Sequence, residues 1–288
     1  MVRNEDVEWK GTSKNLKKND YRVSLINFSK PSIMGVLNLT PDSFSDGGKF
    51  LAPDDAIRHA EKLVGDGASI IDVGGESTRP GSTEVPVQKE LDRVLPVIEA
   101  ISDRFDVPVS VDTNKPMVMR DAISAGAAMI NDVYALRRRG AMEVVASHDI
   151  AVCLMHMQGT PADMQAAPSY EDVVTEVCDF LKERLAACLD AGISRDRLML
   201  DPGFGFGKND SHNLDILANL DQFTILGAPL LIGLSRKQTL GNLTGCSQDG
   251  RAAASIAAAM FAVGKGARIV RTHDVAGTVD ALKVITQL

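Results

Sequence analysis

Ile33 to Asn38 reads IMGVLN, five apolar residues closed by an amide. A run this short and this continuously apolar has the pattern of a strand covered on both faces. The pattern recurs: SIIDV (69–73), VPVSV (107–111), AAMI (127–130), AVCLM (151–155), RLMLD (197–201), PLLIGL (229–234) and ARIVR (267–271). Between the runs the apolar residues take helical spacing. Asp54 to Val64 starts behind Pro53, has acids in its first turn, and sets Ile57, Ala60 and Val64 on one face. Glu171 to Ala191 repeats Val173, Val174, Val177, Cys178, Leu181, Leu185 and Cys188, and stops at Gly192. The last pattern starts at Asp274 and carries Val275, Val279, Leu282 and Ile285. Strand and helix alternating eight times in 288 residues predict a parallel sheet closed into an α/β (β/α)8 TIM barrel.

What ends each run predicts the use of the barrel. Asn38 follows the first, the second contains Asp72 and is followed by Glu76, and Asp112 follows the third. Asn131-Asp132, His156, Asp201, Ser235-Arg236-Lys237, and Arg271 with His273 complete the set. In such a barrel all C-terminal strand ends surround one mouth, where catalytic groups sit. Any one of these residues is as readily a helix cap. Eight of eight specify an enzyme mouth.

The residue types suggest the ligand. Arg79, Lys208, Arg236, Lys237 and Arg271, with His273, gather cations on a chain of net charge -7. Such a group favours an anion, and Arg-x-His suits a phosphate. Asp112, Asn131 and Asp201 offer acceptors and an amide. A buried carboxylate needs a partner, so a heterocycle with adjacent N–H groups is the natural one. The expectation is a heterocycle at depth and an anion nearer the rim.

Hydrophobic residues at 44% and charged residues at 24% describe an ordinary globular composition. The negative balance and the lack of a basic block exclude nucleic acid as the main partner. No apolar run approaches a membrane span. Residues 1–20 are charged and carry no apolar core of a signal peptide, so a cytoplasmic protein is expected. Cys153, Cys178, Cys188 and Cys246 show no metal-ligand spacing and read as reduced thiols. Residues 1–29 read as a partly flexible extension, and 30–288 as the barrel. DPGFGFGKN (201–209) resembles a phosphate loop, but Asn209 follows Lys208 where Ser or Thr is needed, and Lys208 occupies the third Gly position of a dinucleotide fingerprint. Its Phe204 and Phe206 suggest a substrate flap, since on a merely mobile loop they would be exposed rings without a purpose. HExxH, zinc and G-x-S-x-G patterns are absent.

The motifs GVLNLTPDSFSDGG, DVGGESTRPG, SVDT, INDV, LMHMQG, DPGFGFGK, SRK and RTHD occur in that order from about Ile33 to the end. Together they resemble the dihydropteroate synthase family of folate biosynthesis. The resemblance implies a (β/α)8 barrel, usually a homodimer and a sulfonamide target. It implies joining of p-aminobenzoate to 6-hydroxymethyl-7,8-dihydropterin pyrophosphate with Mg²⁺, by a dissociative route in which pyrophosphate leaves first. By the same resemblance Asp112, Asn131, Asp201 and Lys237 hold the pterin. Phe44, Thr78, Arg79, Pro80, Phe206 and Ser235 form the aminobenzoate pocket. Asn38, Arg271 and His273 take pyrophosphate, Asn38 with the metal. Asp112, Asp201, Lys237, Arg271 and His273 are then the catalytic set. Thr40 to Gly48 is implied to be a loop that orders over the second substrate, and Gly75 to Gly81 a second loop. Thr272 inside R-T-H and the segment to about Asp20 depart from the family pattern without touching a named role. Two alternatives stand beside this one. A pterin-dependent methyltransferase domain would share the floor but need no pyrophosphate grip, against STRPG, SRK and RTH. A non-catalytic pterin-binding paralogue would not need the full catalytic set. Arg251 to Val263, rich in small residues, suits either a subunit contact or packing on the barrel.

Overall fold

Each of the eight runs forms a strand: β1 (Ser32–Asn38), β2 (Ile70–Gly74), β3 (Val109–Asp112), β4 (Met129–Asp132), β5 (Ala151–Met155), β6 (Leu198–Asp201), β7 (Leu230–Ile232) and β8 (Ala267–Thr272). In the computed structural model, which describes residue 26, residues 28–40 and residues 53–287, the strands pair in chain order and close into one parallel barrel. Helices α1 (Pro53–Gly65), α2 (Val87–Arg104), α3 (Pro116–Ala125), α4 (Ala141–Ala146), α5 (Val173–Asp190) and α6 (Asp210–Ala218) follow β1 to β6. Two helices, α7 (Gln238–Thr244) and α8 (Ala252–Gly264), follow β7, and α9 (Val275–Ile285) follows β8. The expected helix at Glu171 begins two residues later because the Asp172 side chain caps it, accepting from the Val174 and Thr175 amides at 3.0 and 3.1 Å.

The two faces of the strands build two cores. Outward residues such as Ile33, Leu37, Ile71, Val73, Val111, Ile130, Leu154, Leu200 and Val270 pack under the helices in the main cluster. Inward residues Met34, Ile70, Met129, Cys153, Met199, Leu231 and Ile269 fill the lumen, and Ile26 and Phe28 pack against them. Barrel packing therefore already includes residue 26. With both faces covered, a strand has no place for alternation, which is why each run is continuously apolar.

Side chains on a strand share a face every second residue. Two residues beyond that lumen layer come Val36, Asp72, Asn131, Met155, Asp201, Gly233 and Arg271. The sequence turns polar one layer above the plug, at the C-terminal mouth.

Cys153 and Cys188 are buried, Cys246 is exposed, and all four cysteines are free thiols. Among the described residues no helix is long and apolar enough to cross a membrane.

Candidate active site

The mouth holds a cavity of about 780 Å³. Twelve of the thirteen residues expected at the site line it: Asn38, Thr78, Arg79, Pro80, Asp112, Asn131, Asp201, Phe206, Ser235, Lys237, Arg271 and His273. The thirteenth, Phe44, lies outside the described residues, as does the Thr40 to Gly48 loop beyond Thr40, which also lines the cavity.

The floor is a buried charge cluster. Arg271 Nε donates to Asp72 Oδ2 at 2.6 Å, and its Nη2 donates to Asp112 Oδ2 at 3.1 Å. Asn131 Nδ2 reaches the same Asp72 oxygen at 3.4 Å. Burial alone would lower the Arg271 pKa, but Asp72 and Asp112 raise it above its ordinary value. Burial pushes Asp112 up to about 7; Arg271 opposes this, while Asp72, Glu90 and Asp132 add to it. Asp201 is likewise raised by burial, to about 6, against the Gly203 amide that donates to its Oδ1 at 2.7 Å. Asp112 Oδ1 is buried in the cavity wall with no hydrogen-bond partner among the described residues. An orphaned acceptor there costs about 1–3 kcal/mol, so the floor is built to be completed by a donor. Asp72 is the residue whose role sequence reasoning missed. It anchors Arg271, which also reaches Asp112.

The rim is basic and differently arranged. Lys237 Nζ lies 4.0 Å from the centroid of the Phe206 ring, a cation–π distance. Burial and Arg271 lower its pKa to about 8, so it stays largely protonated at neutral pH. Ser235 Oγ accepts from the His273 backbone amide at 3.2 Å and lies 3.0 Å from His273 Nδ1. A hydroxyl can accept from one group and donate to another, so this contact suits a neutral His273 with its proton on Nε2. Burial, Arg271 and Arg236 hold His273 down at about 3, so it is a neutral donor rather than the cation expected from sequence. Arg236, at φ 60, pairs with Asp274 at 2.8 Å.

Two strand-end residues point elsewhere. Asp132 accepts from the Tyr134 and Leu136 amides, both at 2.8 Å, and so holds the turn containing Ala135 and Leu136 at positive φ. His156 is tied to Lys208 at 2.8 Å. The flap expected over GFGFG is corrected: Phe204 is 1% exposed and packed into the main core, although both it and Phe206 line the cavity. Another unanticipated device anchors the second loop. Lys115, itself buried, donates to Glu76 Oε2 and Glu90 Oε2, both at 2.5 Å, and Glu76 accepts from the Val85 amide at 2.5 Å. Thr78, Arg79 and Pro80 lie between those fixed points.

No cluster of three His, Cys, Asp or Glu side chains suited to a metal occurs among the described residues. Asn38 offers one amide oxygen at the cavity wall. That donor set fits Mg²⁺ bound mainly through substrate phosphates and water, and does not fit a protein-caged ion.

Residues 34–273 match the family described as pterin binding enzyme. Over 260 residues the chain is 51% identical to the dihydropteroate synthase of Escherichia coli K12, covering 90% of this chain and 92% of that one. The Yersinia pestis dihydropteroate synthase, solved with a sulfonamide drug complex, superposes with a TM-score of 0.88 at 47% identity, covering 91% and 95% of the two chains. The Xanthomonas albilineans dihydropteroate synthase with 4-aminobenzoic acid gives 0.87 at 51% identity, covering 91% and 94%.

Proposed function

The chain belongs to the dihydropteroate synthases of the pterin-binding enzyme family, and from that membership we propose how its mouth divides the work of the reaction. A dihydropterin ring lies on the floor, its N–H groups donating to Asp112 and Asp201, with Asn131 and Lys237 at its remaining polar edge. The observation that carries this reading is the partnerless Asp112 Oδ1 in the cavity wall. p-Aminobenzoate occupies the outer part, against Phe206 and Ser235 and under Thr78, Arg79 and Pro80. Its aniline nitrogen then faces the pterin methylene. Pyrophosphate leaves toward Asn38, Arg271 and the His273 Nε2–H.

The chemistry follows from where charge develops. As the C–O bond breaks, negative charge grows on the pyrophosphate and positive charge on the pterin methylene. Arg271 meets the first, while the carboxylates of Asp112 and Asp201 face the second, all preorganised away from bulk water. Arg271 keeps its position because Asp72 and Asp112 hold two edges of its guanidinium. Mg²⁺, held by Asn38 together with the substrate's phosphates, would supply further neutralisation of the leaving group. After bond cleavage the aniline nitrogen attacks the methylene carbon and sheds a proton.

The grip at Arg271, His273 and Ser235 supports this over a methyltransferase that shares the floor. In the test, the full chain is mixed with dihydropterin pyrophosphate, p-aminobenzoate and Mg²⁺. Release of pyrophosphate with formation of 7,8-dihydropteroate is expected. No pyrophosphate release, or methyl transfer from a pterin donor, would overturn it. We also read the chain as a cytoplasmic homodimer. Its four free thiols support the location, and the outer face of α8, with Phe261 49% exposed, supports the pairing. Sedimentation as a monomer would contradict the dimer.

A further inference from the structure

Lys208 lines the cavity, yet the function described above leaves it without a task. Lys208 is 2% exposed, and no carboxylate pairs with it among the described residues. Its ammonium meets three acceptors instead: His156 Nδ1 at 2.8 Å, Gly203 O at 3.0 Å and Phe206 O at 3.0 Å. Three N–H donors facing three acceptors is full satisfaction of an ammonium group. A buried lysine with no counter-ion is costly, so its retention calls for a reason.

The reason lies in what it ties together. Gly203 O and Phe206 O belong to the loop that leaves β6, and His156 leaves β5. Gly203 also fixes Asp201 through its amide, and Phe206 carries the ring beneath the Lys237 ammonium. The loop lies so close to the β5 exit that a Cβ on Gly203, at φ +70, would stand 1.8 Å from His156 O. Only glycine permits that approach.

We propose that Lys208 is a positioning residue of the active site: clasped to His156 Nδ1, it holds the β6 loop so that Phe206 and Asp201 stand correctly for the two substrates. The site roles of Phe206 and Asp201 are those of the reading above, on which the proposal rests. His156 does not line the cavity, and it serves as a neutral acceptor carrying its proton on Nε2. Burial first, then Lys208, holds its pKa down at about 2, consistent with that state. Burial lowers Lys208 to about 7, with Asp201 opposing.

The test compares Lys208→Met, His156→Leu and His156→Asn with wild type in the full chain. Asn keeps an acceptor near the Nδ1 position, and Leu removes it. Lys208→Met and His156→Leu should raise KM for p-aminobenzoate roughly tenfold or more, the scale of losing one hydrogen bond to a charged group, and His156→Asn should restore it. Two-bond ¹H–¹⁵N spectra of wild type should show His156 protonated on Nε2 at neutral pH. If Lys208→Met does not fold, the Leu and Asn pair at His156 decides. Lowered thermal stability with unchanged KM in Lys208→Met and His156→Leu would overturn the proposal, as would an Nδ1–H tautomer. Wild type that makes no dihydropteroate would instead refute the function, so the two failures are distinct.

Discussion

At the scale of the residue, position on a strand decided role. Asn131 and Asp132 are adjacent, yet only Asn131 enters the cavity, and Asp132 holds a turn. Met155 and His156 divide the same way: the methionine lines the site and the histidine clasps Lys208. Alternation along a strand sends neighbours to opposite faces, so parity separates site from support. Asp112 shows how far burial then takes a site residue. Its folded pKa, about 7, lies above the ordinary value of 3.8. Between those values the folded apo protein binds a proton that the unfolded chain does not, so this group's contribution to stability falls as pH rises through the window. Asp112→Asn, fixed in a neutral form, should therefore gain stability relative to wild type as pH rises from about 4 to about 7. Thermal unfolding of both proteins across that range reads the difference. A difference that stays constant would contradict the raised pKa. The carboxylate positions themselves were legible in the sequence because each ends an apolar run. Their protonation was not, since for Asp112 it depends on charges brought from β2, β4, β8 and helix α2.

At the scale of the element, two loops are fixed by buried lysines rather than by their own composition. The stretch from Gly75 to Pro86 is polar and rich in turn residues, and nothing in that composition says what holds it. The Lys115 ammonium, presented by the segment between β3 and α3, holds Glu76 and Glu90 together beneath it. Removing one partner of a buried charged group leaves the others uncompensated, at a cost of about 3–5 kcal/mol. Lys115→Met should lose stability on that scale in denaturant unfolding, and a loss below about 1 kcal/mol, the worth of an exposed pair, would refute the anchoring role. The loop after β6 misled. Two phenylalanines among glycines suggested a substrate flap, yet Phe204 is core and the glycines serve close approach to the β5 exit. Sequence pattern reports local chemistry. It does not report which neighbour a loop docks on, and tertiary contact settled both cases. Helices fared better because their burial is periodic, and strands because burial on both faces makes each a continuous apolar run; the eight runs located every strand among the described residues.

At the scale of the whole molecule, the barrel sorts one chain into a dry plug, a charged floor and a basic rim, stacked along its axis. Met34, Ile70, Met129, Met199 and Ile269 close the lumen. The next inward layer brings Asp72, Asn131, Asp201 and Arg271, and the loops above add Phe206, Ser235 and His273. Depth thus sets polarity, and polarity sets which end of a two-part ligand goes where. Those assignments are tested together by a crystal structure of the full chain with 7,8-dihydropteroate bound. The pterin end should lie within hydrogen-bond distance of Asp112, Asn131 and Asp201, with the aminobenzoate end against Phe206 and Ser235. A product seated with its pterin at the rim and its benzoate on the carboxylate floor, or bound outside this cavity, would contradict the account.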